Sequence, residues 1–224
     1  MTPNSSLVTR VIPARADNFA RGRNGTAISE ITIHHTAGNI TVESLGAMWQ
    51  TPGRRVSSTY GVNGKNVGQY VAEADTPFTN SKLAANRRAV TIETANSVSG
   101  QHGDQMGWPV SSETFDMLVR LVADIARRNN LPPLVPGRSL TWHSMYSATA
   151  CPGPFLMGRI QRIADEANRI NAAAVNSPGG VLFGVARQVI ALSDRARAEE
   201  YAERLNANRP DANSSFYYVI ERPR

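Results

Sequence analysis

The chain has a single cysteine, Cys151, among 224 residues. One cysteine cannot close an internal disulfide, so the fold does not depend on an oxidising compartment. Paired Cys-x-x-Cys motifs are absent, which argues against a zinc finger. No stretch approaches the roughly 20 apolar residues of a membrane span. Residues 1–23, MTPNSSLVTRVIPARADNFARGR, are polar and interrupted and lack the apolar core of a signal peptide. The expectation is therefore synthesis in the cytoplasm, with any export by another route. Internal repeats and low-complexity tracts are also missing.

What is present is an ordinary apolar fraction of 41%, enough for one sizeable core and a small appendage. The net charge of +6 suits an anionic partner: nucleic acid, an acidic membrane or an acidic cell wall. The basic residues are scattered, as in Arg21, Arg23, Arg54, Arg55, Arg87, Arg88, Arg127 and Arg128. None belongs to a motif that reads DNA or RNA, so a specific nucleic-acid partner is not expected.

Hydrophobic spacing predicts the elements. Residues 31–34 read as a strand, 41–50 as a short helix capped by Thr41, 66–74 as a strand and 89–96 as a buried strand. Ser111 or Ser112 opens a helix in which Phe115, Leu118, Val119, Val122, Ile125 and Ala126 make one apolar face, ended by Asn129–Asn130. A last helix over about 155–170 carries Leu156, Ile160, Ile163, Ala167 and Ile170 on one stripe. This order predicts an α/β fold, a mixed central β-sheet flanked by helices. The expected organisation is an N-terminal segment 1–27, a main domain 28–172, a linker 173–180 and a small C-terminal βαβ element 181–224. The last piece is marginal as an independent fold. VARQVIALSDRARAEEYAERLN followed by FYYVIE resembles one half of a sporulation-related repeat domain, which implies a cell-wall-binding or self-association module; a structural extension is the alternative.

Two segments carry the chemistry. ITIHHTAGN, 31–39, sets His34 and His35 at the end of a β-branched run. WHSMYSATACPGP, 142–154, sets His143 eight residues before Cys151. One histidine of the first pair, with His143 and Cys151, makes three zinc-capable ligands. Three protein ligands with a fourth position left for water is the pattern of a catalytic zinc, which can supply a hydroxide nucleophile near neutral pH. The ordinary alternative for Cys151 is a small buried hydrophobe. The loop around it is rich in Ser, Thr, Ala, Pro and Gly rather than apolar, which favours the ligand reading.

HHTAG after a strand, the tyrosine of STYGV, the strand VTIETAN and H-x7-C followed by PG together resemble the zinc-dependent N-acetylmuramoyl-L-alanine amidases. That family includes phage endolysins, autolysins and peptidoglycan-recognition proteins. The resemblance spans about residues 28–170 and implies a peptidoglycan hydrolase that cleaves the amide between N-acetylmuramic acid and L-alanine. It places the zinc ligands on His34, His143 and Cys151, and makes His35 a neighbour. It also implies catalytic roles for three residues: Glu93 as proton carrier, Tyr60 as a hydroxyl near the zinc, and Thr149 as a donor to the developing oxyanion. The family's frequent tryptophan–histidine pair before the glutamate strand is missing from TPFTNSKLAANRRAVTIE. Asn80, Asn86 and Arg87–Arg88 are the candidates there to line a stem-peptide groove. The expected partner is bacterial peptidoglycan, and the leading reading is a phage endolysin acting on the wall after release. A non-catalytic peptidoglycan-binding module, a cytoplasmic muropeptide-recycling amidase and a basic nucleic-acid-binding zinc protein are the alternatives.

Overall fold

β-branched and aromatic residues alternating with small polar ones build a sheet with two unlike faces. In chain order the elements are β1 (Arg10–Val11), β2 (Phe19–Ala20), β3 (Glu30–His35), α1 (Val42–Trp49), β4 (Tyr60–Asn63), β5 (Asn66–Gln69), β6 (Thr76–Pro77), α2 (Leu83–Arg88), β7 (Ala89–Thr94), α3 (Gly100–Gln105), α4 (Ser112–Arg128), β8 (Leu140–Trp142), α5 (Gly153–Met157) and α6 (Ile160–Asn176). The structure, a computed structural model, describes residues 1–176. The expected βαβ element at 181–224 lies outside them, as do linker residues 177–180; residues 173–176, expected in the linker, form the end of α6.

The main sheet has the order β1-β5-β4-β7-β3-β8. Strands β4, β7, β3 and β8 run parallel to one another; β5 is antiparallel to β4, and β1 is parallel to β5. This is the mixed central sheet expected from the sequence. Residues 1–27 contribute directly to this body: β1 pairs with β5, and β2 with β6 in a separate two-stranded sheet.

One face carries Ile31, Ile33, Val90, Ile92, Tyr60 and Val62, which pack with Leu118, Val122 and Ile125 of α4 and with Ile163 and Ala167 of α6. Full burial of each large aliphatic side chain there contributes about 1.5–3 kcal/mol. Helix α4 begins at Ser111, whose hydroxyl accepts from the Thr114 N–H at 3.2 Å. All six residues of its predicted apolar face are buried. On the opposite face, α1 and the loop after β5 bring Leu45, Trp49, Tyr70 and Val71 into a smaller core. Gly61 and Gly68, paired across β4 and β5, make that approach feasible. A Cβ on Gly61 would lie 2.7 Å from the Tyr70 hydroxyl and 2.8 Å from Leu45.

Three differences from the sequence reading have local causes. Strand β5 stops at Gln69 because the chain turns at Ala72–Asp75, the Asp75 N–H donating to the Ala72 carbonyl at 2.9 Å. The last predicted helix divides into α5 and α6 at Gly158, whose N–H closes α5 on the Pro154 carbonyl. Strands β4 and β8 and helix α2 are only three to six residues long, too short for a periodic signal to emerge.

Candidate active site

The site lies where β7, β3 and β8 end, at the carboxyl edge of three adjacent parallel strands. Open α/β sheets place ligands at such edges. Parallel register sets His34 beside Glu93 on β7 and Ile33 beside Trp142 on β8, so His143, the next residue, arrives alongside His34. Their ring centroids are 4.6 Å apart. The loop after β8 then folds back, with the Ser144 N–H donating to the Cys151 carbonyl at 3.1 Å and the Gly153 N–H to the Ala150 carbonyl at 2.7 Å. It delivers the Cys151 thiol to a point 3.7 Å from His34 Nδ1.

The donor atoms of His34, His143 and Cys151 all lie within 4.8 Å of one another. Bonds of about 2.0–2.1 Å to nitrogen and 2.3 Å to sulfur in a tetrahedron put nitrogen and sulfur about 3.6 Å apart. The sulfur–Nδ1 separation therefore matches a zinc-sized ion. Two imidazoles with a thiolate also suit zinc and disfavour magnesium or calcium.

Protonation states agree with that geometry. Burial, with the neighbouring His143 adding to it, lowers the pKa of His34 to about 3; the hydrogen bond to Asn80 works the other way. Burial likewise lowers His35 to about 4 and pulls His143 down. All three rings are neutral near pH 7, the form that ligates metal. Burial pushes the Cys151 thiol up, and Glu93 adds to this, while the His35 backbone N–H, 3.4 Å from the sulfur, opposes it. A thiol set among neutral imidazoles and a carboxyl ionises when a cation compensates it, which is what a bound metal provides.

Of the expected catalytic residues, Glu93 is brought to the cluster. It shares the face and the register position of His34, keeps a little contact with solvent, and burial of its carboxyl raises its pKa to about 8. Thr149 also belongs to the loop edge. Its side chain is exposed and its oxygen accepts from the Cys151 N–H at 3.2 Å, leaving its own proton to donate.

Tyr60 is not brought there, a correction to the sequence reading. It pairs with Ile92 rather than Glu93, so alternation turns its ring to the α4 face. There it is fully buried, and its hydroxyl donates to Glu73 at 2.7 Å. Glu73 in turn accepts a bidentate pair from Arg128 at 2.8 and 2.9 Å.

Two of the four groove candidates, Asn80 and Asn86, are corrected as well. Asn80 is fully buried, with its Oδ1 2.8 Å from His34 Nε2. Asn86 is buried too, its Oδ1 accepting from the backbone N–H groups of Thr79 and Asn80 at 3.2 and 2.7 Å. Arg88 pairs with Glu30 and lies over the Tyr146 ring. His35 packs edge-on against Trp108 at 5.3 Å, leaving His34 as the member of the pair that faces the cluster. Sequence reasoning missed Ser81, whose hydroxyl is 3.3 Å from His143 Nε2. Its only signal was its place beside an asparagine.

A histidine–histidine–cysteine cluster at the carboxyl edge of a parallel sheet, with a carboxyl group beside it, defines a site with the donor set for a metal and an acid–base group within reach. The family model of N-acetylmuramoyl-L-alanine amidases matches residues 24–154, more than half of the chain, and the chain belongs to that family. Among solved structures it is similar to the Staphylococcus aureus hydrolase AmiA, solved with its ligand. The two share 14% identity, with 80% of this chain and 95% of that one covered at a TM-score of 0.59. It is also similar to the PlyG catalytic domain, at 18% identity, 75% and 98% coverage and a TM-score of 0.57. A mutant endolysin from Bacillus subtilis matches at 14% identity, with 71% and 99% coverage and a TM-score of 0.55. These likenesses concern the fold. No curated protein matches the chain significantly.

Proposed function

We propose that this protein is a zinc-dependent hydrolase of bacterial peptidoglycan that cuts the amide bond between N-acetylmuramic acid and the L-alanine of the stem peptide. The observation that carries the reading is the convergence of His34, His143 and Cys151 within 4.8 Å, with Glu93 beside them, inside a chain of this amidase family. Zinc held by those three residues supplies a Lewis acid and brings the ionisation of water near neutral pH.

The chain's own residues do the rest. The charge of a metal held beside it would lower the Glu93 carboxyl from its metal-free value of about 8. Ionised in that way, Glu93, at the register position of His34, accepts the proton of the attacking water and returns it to the departing amine of L-alanine. Thr149 donates its hydroxyl proton to the carbonyl oxygen as charge builds there. The neutral rings of His34 and His143 keep their ligating form across the physiological range. Tyr60, engaged with Glu73 on the other face, serves stability.

Within this reading we infer a phage-type lytic enzyme, supported by the fold likeness to a Bacillus subtilis endolysin and to the PlyG catalytic domain. The net charge of +6 also favours attraction to an anionic wall. Incubating the zinc-loaded protein with intact cell walls and, separately, with soluble muropeptides tests this. Release of stem peptides from intact walls supports the lytic reading. Cleavage confined to soluble fragments would replace it with a recycling amidase.

A further inference from the structure

Behind His34 runs a buried hydrogen-bond chain that ends on a backbone carbonyl. The Ile31 carbonyl can only accept, and the Thr141 hydroxyl, 3.3 Å away, donates to it. Thr141 Oγ1 and Thr32 Oγ1 lie 2.9 Å apart, a pair in which Thr32 donates when Thr141 gives its proton to the carbonyl. Thr32 Oγ1 then accepts from Asn80 Nδ2 at 3.2 Å. The Asn80 amide is thereby oriented with Oδ1 toward His34 Nε2, 2.8 Å away. A carbonyl oxygen only accepts, so Nε2 carries the hydrogen. In a neutral imidazole the lone pair then sits on Nδ1, the nitrogen that lies 3.7 Å from the Cys151 sulfur.

Each member is held in place. Thr32, Asn80 and Thr141 are all buried, so no competing water is needed to satisfy them. Asn80 is anchored through its backbone N–H by Asn86. The adjoining Ser81 has a left-handed φ of 59°, an uncommon conformation for a residue with a side chain, and its hydroxyl reaches His143 Nε2.

We propose that Asn80, backed by Thr32 and Thr141, is a positioning residue that locks His34 in its Nε2–H tautomer and commits Nδ1 to the metal. The consequence for metal rests on the zinc reading above; the tautomer is a property of the metal-free protein. Outer partners of this kind fix ring orientation and basicity, and their loss costs about 10- to 100-fold in metal affinity.

The test begins with the full chain, metal-free and labelled with nitrogen-15 at histidine. Long-range proton–nitrogen NMR at pH 7 reads which His34 nitrogen is protonated. The wild type is expected to show Nε2–H alone. Asn80→Ala and the near-isosteric Thr32→Val are expected to add the Nδ1–H form. An Nδ1–H ring in the wild type, or a single Nε2–H form in both variants, overturns the proposal. Titration with Zn2+ alone against a competing chelator should show Asn80→Ala about 10- to 100-fold weaker. Asn80→Asp, which can still accept from Nε2–H, should stay within a few fold. Equal zinc affinity in wild type and Asn80→Ala overturns the proposal as well. A wild type that binds no Zn2+ defeats the zinc reading, while the tautomer measurement still decides the role of Asn80.

Discussion

The two faces of the central sheet are drawn from the same strands and do opposite work. In β3 the residues Ile31 and Ile33 point to α4 while Thr32 and His34 point away; in β7, Val90 and Ile92 alternate with Thr91 and Glu93 in the same way. One face is a largely apolar layer. The other carries a buried polar layer beside the smaller core of Leu45, Trp49, Tyr70 and Val71. In that layer Thr32, Thr141, Asn80 and His34 bond to one another, and Thr91 bonds to Thr59 and Thr79. Because the side-chain period in a strand is two, a shift of one residue moves a group from stability to chemistry. Tyr60 is the clearest case, since it sits one register position away from Glu93 and ends in the core.

Substitutions on each face should separate these roles. Cys151→Ala removes the single sulfur ligand and is expected to reduce amide cleavage to background, with loss of stoichiometric Zn2+ by metal analysis and an unchanged far-ultraviolet circular dichroism spectrum. A substantial residual rate would break the assignment of the polar face to catalysis. Glu93→Gln should keep one zinc per chain and lower turnover by about 10²- to 10⁴-fold, the usual worth of general acid–base assistance; full turnover would end its role as proton carrier.

On the apolar face, Ile125→Ala is expected to cost about 2–5 kcal/mol in urea unfolding, while kcat/KM per folded molecule stays unchanged. Tyr60→Phe removes one hydrogen bond to a charged acceptor and should cost about 1–3 kcal/mol, again at unaltered activity. A drop in kcat with intact stability would return Tyr60 to the site.

The smallest effect concerns Asp124. Burial raises its carboxyl, but hydrogen bonds from Ser5, Arg128 and Arg127 more than offset this and leave it below the ordinary value. A depressed folded pKa means stabilisation that is complete above the unfolded carboxylate value of about 3.9 and fades as pH falls through the folded one. The stability difference between wild type and Asp124→Asn should therefore shrink on acidification below about pH 4. A difference that is flat with pH would contradict it.

Much of this was legible in the chain because it is local. The periodic face of α4, the capping hydroxyls of Thr41 and Ser111, and the β-branched run before His34 are each read within one element. The trio of His34, His143 and Cys151 was readable from residue type, loop composition and family resemblance. What was not legible depends on register between strands far apart in sequence. Nothing within STYGV tells which residue of β4 faces Glu93, so Tyr60 was expected beside the metal. Nothing in TPFTNSK tells that Asn80 meets His34 from 46 positions away, so it was read as groove lining. The missing family histidine at that segment marked the place but not the role.

The most direct test of the central claim is digestion of purified peptidoglycan by zinc-loaded and chelator-stripped protein, with the products identified by mass spectrometry. The account predicts stem peptides bearing a free L-alanine amine, released by the zinc-loaded protein and not by the stripped one. Intact glycan–peptide linkages in the presence of stoichiometric zinc would contradict it.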